Sequence, residues 1–380
     1  MKLSRRNVLQ AAGAAGAATV AGCLGGDDET VSPHEVENPS GNLEDTLNVW
    51  NWYMDYRDWS VDAFGEEYED VESISTSAYS NPAEWFSRLE SDQHEIDSIG
   101  STPDWTVRAR EAGHISPMPL DEMAFWDEIP EFIKDIIEEY HAEDGDVYSA
   151  PQGVLVNPTL TYNEDVFSSP PDSWSVLWDD EFDGEMFMWD RSYYACMIAA
   201  MYTGQDPFHP DDYDDIQESL IQQRDYNVTY WQDFNQARGM FVNEEVVVGP
   251  LLDGQTFMAR FNNDAPITYT VPEEGAFWAL NDFVIPADAP HPNAAVTYTD
   301  YVARPENNKH MMTTMGYRGA FNDEMMDDLY ADELESGEIT EEMLDFHRWD
   351  EFEDRLMFEE PLDEDVLDRY DEIWNEVKAA

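Results

Sequence analysis

The chain has 380 residues with 84 acidic against 19 basic side chains, a formal net charge of −65, and only four lysines, Lys2, Lys134, Lys309 and Lys378. That balance excludes a protein that grips nucleic-acid backbone, which needs basic patches facing phosphates. The 42% apolar and 13% aromatic content argues against a disordered acidic chain and for a folded core under a solvated acidic skin of halophilic type. In molar salt the Debye length is only ~3 Å, so such a skin steers almost nothing and any ligand must be recognised by pocket contacts.

The first residues read as an address. "SRRNVLQ" (4–10) carries a twin arginine, "AAGAAGAATVAG" is a short run of small residues, and "VAGC" ends at Cys23. The run is too short, and too rich in Ala and Gly, to span a bilayer. It resembles a twin-arginine lipoprotein signal over 1–22, with Cys23 as the lipid-bearing first residue of the mature chain. Cys196 is then the remaining thiol, so no intrachain disulfide is expected. Residues 23–45 are rich in Gly, Pro, Ser and acid without apolar period, which predicts a flexible tether.

From Thr46 the pattern alternates strands and amphipathic helices and predicts an α/β fold. "TLNV" begins a strand that ends in a cluster of rings and charges, Trp50, Trp52, Tyr53, Asp55, Tyr56 and Trp59. "NPAEWFSRL" (81–89) opens a helix with Asn81 as cap, Pro82 at its first turn and Glu84 reaching back. A strand at 96–101 precedes a helix that closes at Gly113. Further strands are expected at 148–163, 185–189, 244–252, 267–272 and 277–286, with helices at 292–303 and at the acidic amphipathic C-terminus, where Val366, Leu367, Tyr370, Ile373, Trp374 and Val377 share a side. The long strands at 148–163 and 277–286 divide the chain into large pieces, as strands passing between two lobes would.

Several motifs now fall in order. "SWSVLWDDEFDG" (173–184), "PEEGAFWALNDFVIPADAPHPNAAVTYTDYVARPE" (272–306), "MGYRGAFN" (315–322) and the opening "NVWNW" together resemble the periplasmic spermidine/putrescine-binding proteins over roughly 46–322. The resemblance implies a type II periplasmic-binding-protein fold, two α/β lobes joined by a hinge with a ligand cleft between. It places lobe one at 46–152 and 280–327 and lobe two at 153–279 and 328–380. It implies a receptor that closes on its ligand and presents it to an ABC permease and its ATPase, held at the outer face of the membrane by the lipid on Cys23.

A polyamine needs aromatic walls for its methylenes and carboxylates for its ammonium ends. The aromatic positions implied by the family fall on Trp52, on Tyr56 with Tyr53 as a second candidate, on Trp105 with Ser101 and Asp104 beside it, and on Trp278. The acidic positions implied by the family align with Arg191 and Tyr194, beside Asp190, and with Asn281, beside Asp282; the ring expected near "GPLLDG" falls on Leu252, beside Asp253, and Asp55 is a further candidate. Trp50, Trp59, Trp174 and Trp178 are expected to pack. An inward Arg191 would repel an ammonium and instead favour an amino-acid-like or phosphonate-like anion. The eight scattered histidines carry no zinc spacing, "DDYDD" (211–215) lacks the glycine turn of a calcium loop, and no cofactor is expected. "NVT" (227–229) is a possible glycosylation acceptor. An exported hydrolase working through two carboxylates is the reading from another class.

Overall fold

The computed structural model describes residues 31–91, 94–349 and 352–380, so the signal segment, Cys23 and the first part of the expected tether lie outside the described residues. From Pro33 onward the acidic segment is packed rather than free. Pro33, Val36 and Pro39 are buried, the Asn38 amide donates to Glu122 at 2.9 Å, and Glu44 accepts from Asn293 Nδ2 at 2.7 Å and the Ala294 amide at 2.8 Å. The prolines and Val36 supply apolar anchors that a count of Gly and acid overlooks.

Thirteen strands lie among the described residues: β1 Thr46–Trp50, β2 Ser73–Ser77, β3 Ser98–Ser101, β4 Ala142–Glu143, β5 Asp146–Val147, β6 Ala150–Val156, β7 Thr159–Asn163, β8 Met186–Trp189, β9 Asn227–Trp231, β10 Val248–Leu251, β11 Ile267–Thr270, β12 Ala276–Val284 and β13 Leu356–Phe358. One mixed sheet runs β13-β12-β3-β1-β2, with β6 on the other side of β12; a second runs β11-β7-β10-β8-β9. Helices α1 Met54–Glu67, α2 Ala83–Leu89, α3 Pro103–Ala112, α4 Phe125–Glu128, α5 Glu131–Tyr140, α6 Ser192–Tyr202, α7 Tyr213–Arg224, α8 Phe234–Val242, α9 Asp253–Phe257 and α10 Pro292–Ala303 alternate with them, and Glu364–Ala379 closes the chain.

Local chemistry explains the boundaries. Asn81 Oδ1 accepts the Ala83 amide at 2.9 Å while Glu84 reaches back to the Ser80 and Asn81 amides, the reciprocal cap expected. Gly113 ends α3 at φ 72°. The terminal helix buries Val366, Tyr370, Ile373, Trp374 and Val377 against α6 and α7, each large side chain contributing about 1.5–3 kcal/mol. Cys196 on α6 is buried, its thiol donating to the Tyr370 carbonyl at 3.7 Å.

The stretch 148–163, expected as one strand, is two strands in different sheets, β6 and β7, parted at Asn157 and Pro158. Proline has no N–H to give to a ladder, and the chain changes sheets there. It returns to the first sheet between β11 and β12, and crosses again after β13, which lies in the first sheet, to the terminal helix on α6 and α7. The polar side chains described next lie around these crossings.

Candidate functional site

At the end of β1, Asn51 Oδ1 accepts the Tyr53 amide at 3.0 Å and turns the chain out of the sheet. A Cβ on Gly100 would lie 2.6 Å from the Asn51 side chain, so the glycine makes room for this turn. Trp52 lies near-parallel to Tyr79, centroids 6.1 Å apart, and its buried Nε1 has no hydrogen-bond partner. The Tyr53 hydroxyl accepts from Asn281 Nδ2 at 2.7 Å, and its ring meets Tyr317 at 5.4 Å. Tyr56 departs from expectation. One turn further on, it is fully buried in the core and donates to the Val302 carbonyl of α10 at 3.2 Å. Asp55, the residue before Tyr56 on α1, is exposed. Trp50 and Trp59 pack as expected, Trp59 stacking on His310 at 4.0 Å.

One acidic pole is Asp253, the first residue of α9. It has no exposed surface; Oδ1 accepts the Gly254 amide at 2.8 Å and Oδ2 has no hydrogen-bond partner, with His347 Nδ1 3.9 Å away. Burial pushes this carboxyl up to about 7, against the Gly254 and Val156 backbone and the charge of Arg318. Tyr53, Tyr317 and Tyr269 all feel its charge. A Cβ on Gly254 would stand 2.4 Å from the Tyr317 ring, so glycine lets that ring lie across the start of α9, where its hydroxyl accepts from Gln255 Nε2 at 3.1 Å.

The second pole is Glu359, just beyond β13, its amide held by the Trp278 carbonyl at 2.8 Å. The Tyr194 hydroxyl donates to the carboxylate, 2.8 and 3.0 Å from its two oxygens; Asn157 Nδ2 in turn donates to that hydroxyl. The Tyr194 ring stacks on Trp189 at 4.7 Å and 13°. Burial lifts the Glu359 carboxyl to about 8, opposed by the Tyr194 hydroxyl and reinforced by the like charge of Asp104. Asp104, exposed in the first turn of α3, also raises the phenols of Tyr79 and Tyr193. Asp104, Tyr79, Tyr193 and Glu359 therefore share one electrostatic neighbourhood.

Other expected residues are employed elsewhere. Asp282 is the neighbour of Asn281 on β12, and successive strand side chains point to opposite faces. Asn281 meets Tyr53, whereas Asp282 is buried against Thr106 (3.1 Å) and His141 Nδ1 (3.3 Å). Ser101 joins that buried network through Thr106 at 3.0 Å. Trp105 packs edge-on against Phe86 (5.5 Å) and Trp85 (6.2 Å). Trp278 is 8% exposed and meets Phe132, Trp349 and Phe358 edge-on at 5.9, 5.7 and 4.9 Å, a packing role. Arg191 is exposed, its guanidinium 5.8 Å over the Trp189 ring.

Asp190 anchors the terminal helix, accepting from Gln232 (2.6 Å), Trp374 Nε1 (2.7 Å) and Lys378 Nζ (2.8 Å). Although burial opposes it, Lys378 and these donors hold its carboxyl below the usual range. Asp190→Ala is expected to cost about 1–3 kcal/mol of stability by stranding those donors and to leave ligand affinity unchanged; melting curves and calorimetry on the same sample read both.

Sequence reasoning missed Tyr79, Tyr193, Tyr317 and Glu359, and met Tyr194 only as the place where a family acid was expected. Tyr317 stood inside the matched "MGYRGAFN"; Glu359 had no signal against the acidic background. Among the described residues no three His, Cys, Asp or Glu are grouped to hold a metal ion, and no helix is long and apolar enough to cross a membrane.

Comparison with known proteins bears on the fold and the family. A putrescine/agmatine-binding protein of Pseudomonas aeruginosa is 25% identical over 292 residues, covering 72% of this chain and 77% of that one. The spermidine/putrescine-binding periplasmic protein of Escherichia coli is 26% identical over 151 residues, 38% of this chain and 41% of its own length. Among solved structures, the spermidine/putrescine ABC transporter substrate-binding protein PotD of Streptococcus pneumoniae superposes with a TM-score of 0.73 at 16% identity, covering 88% of this chain and 98% of that one. The PotD lipoprotein of Treponema pallidum gives 0.65 at 14% identity, covering 87% and 99%. These likenesses establish the two-lobed α/β fold of type II periplasmic binding proteins. The family model for bacterial extracellular solute-binding proteins matches residues 59–336, and the chain belongs to that family.

Proposed function

We propose that this protein is the receptor of an ABC importer for a polyamine-like dication of the putrescine and spermidine class, delivered to a membrane permease after the lobes close. The observation that carries the reading is a pair of acidic poles, Asp253 at one and Glu359 with Asp104 at the other, with Trp52, Tyr53, Tyr79, Tyr193 and Tyr317 as the ring-bearing groups around them. Carboxylates suit ammonium ends, and ring faces suit methylenes and cations. The names of the relatives support the same ligand class. Twin-arginine export and a lipid on Cys23 complete the proposal, keeping the receptor beside its permease in a halophilic setting.

The test is calorimetry and ligand-dependent melting in molar salt, with putrescine, spermidine and agmatine set against amino acids, sugars and phosphonates. A ligand of the native state must raise the melting temperature. Stabilisation by an anion and by no polyamine would sink the reading. Arg191→Ala is expected to change putrescine affinity by no more than about twofold, as for an exposed side chain; an anion that binds the wild type and not this variant would instead assign the site to an anion.

A further inference from the structure

We propose that the ligand-free site stores its charge-binding carboxyls as neutral acids, so that capture of a dication expels protons from Asp253 and Glu359. The inference rests on the dication reading above and deepens it by adding a proton linkage.

The surroundings of Asp253 supply no free counter-charge. Oδ2 lacks a hydrogen-bond partner, and the facing Tyr53, Tyr317 and Tyr269 are phenols that burial keeps protonated. His347, at 3.9 Å, is held uncharged, because burial and then Arg318 lower it to about 3. Arg318 is committed elsewhere, to Asp323 at 2.6 Å, to the Phe321 carbonyl at 3.1 and 2.6 Å and to the His347 carbonyl at 3.1 Å. Glu359 takes its hydrogen bonds from Tyr194, a neutral donor. The charges it faces are Asp104, of like sign, and across Tyr193 the guanidinium of Arg191, which acts on that phenol. Charging the fully buried Asp253 in such a setting is unfavourable, and so, to a lesser degree, is charging the partly buried Glu359 beside Asp104; each group holds its proton above the usual carboxylate range. The direction agrees with carboxyls lifted to about 7 and about 8.

A bound ammonium supplies the missing charge. Each carboxylic acid gives its proton to solvent and becomes the carboxylate that pairs with the ammonium; no covalent bond to the ligand forms or breaks. Alkyl ammonium groups stay protonated below about pH 9, as lysine does. Affinity therefore rises with pH by up to about two powers of ten per unit where both carboxyls are protonated, and levels above about pH 8.

The experiment titrates putrescine into the full chain in molar sodium chloride at pH 7, in buffers of different ionisation enthalpy, and repeats the titration from pH 5.5 to 9. We expect release of about one proton or more per ligand at pH 7, most of it lost in Glu359→Gln and part of it in Asp253→Asn. Binding whose heat is independent of buffer and whose Kd is flat with pH overturns the proton linkage and leaves the dication reading standing. No binding of putrescine, spermidine or agmatine at any pH overturns both. If one variant fails to fold, the other and the wild-type buffer comparison still decide.

Discussion

Asp253→Asn is expected to weaken putrescine binding by about 10²–10³-fold and, in the same molecule, to stabilise the ligand-free protein at pH 8. The affinity loss follows from removing one partner of a desolvated charge pair, a cost of about 3–4 kcal/mol. The opposite effect on stability follows from the sign of the pKa shift. The Asp253 carboxyl is lifted in the folded state to about 7 from an ordinary 3.8, so the folded protein holds a proton that the unfolded chain releases between those values. Below about pH 4 the carboxyl is neutral in both states and costs nothing; as pH rises toward 7 the folded state is progressively disfavoured. The penalty above pH 7 is on the order of a few kcal/mol. Asparagine keeps the Oδ1 acceptor for the Gly254 amide and removes the ionisation. Melting curves at pH 5 and pH 8 should therefore show a gain for the variant at pH 8 that shrinks at pH 5. A parallel loss of affinity and stability at both pH values would make Asp253 a structural residue.

The difference between a carboxylate placed to bind and one placed to hold the fold bears on what the sequence could disclose. Pattern-coded features were legible: the Asn81 and Glu84 cap, the Gly113 stop, the helix Pro292–Ala303 and the amphipathic face carrying Tyr370 and Trp374 all depend on neighbours within a few residues. The cluster of rings after β1 was legible as a cluster, but the partners of its members were not. Tyr53 and Tyr56 are three residues apart, yet Tyr53 precedes α1 and meets Asn281, whereas Tyr56 is inside α1 and turns to Val302. Asn281 and Asp282 differ by one step of a strand, which decides whether a side chain meets Tyr53 or the His141 network. Asp190 appeared to be a ligand group because only the fold brings Lys378 to it across 188 residues. Glu359 was invisible because, among 84 acidic residues, its distinguishing feature is desolvation beside Tyr194, a property of packing alone.

The largest stability effect is expected at Arg318. Its side chain is 3% exposed and ties two segments together: its own, through Asp323 and the Phe321 carbonyl ahead of it, and that of the His347 carbonyl and the Trp349 ring, which it overlies at 4.7 Å. Its own carbonyl accepts the Val154 amide of β6 at 2.9 Å. Arg318→Met leaves the Asp323 carboxylate with only the Trp349 amide as donor and strips the guanidinium from two carbonyls, which costs about 3–5 kcal/mol and lowers the melting temperature by roughly 6–20 °C. Burial lowers the pKa of this guanidinium and Asp323 restrains the fall, so the pair is the element to test rather than the single charge. Because apolar replacement of a whole buried pair is often neutral, Arg318→Met with Asp323→Leu should recover a substantial part of the loss. The binding consequence has a separate sign: without the cation Asp253 holds its proton more tightly, so putrescine affinity near pH 6.5 should fall even in the double variant and return at pH 9. Recovery of stability together with unchanged affinity at pH 6.5 would show that Arg318 supports the fold without tuning the site.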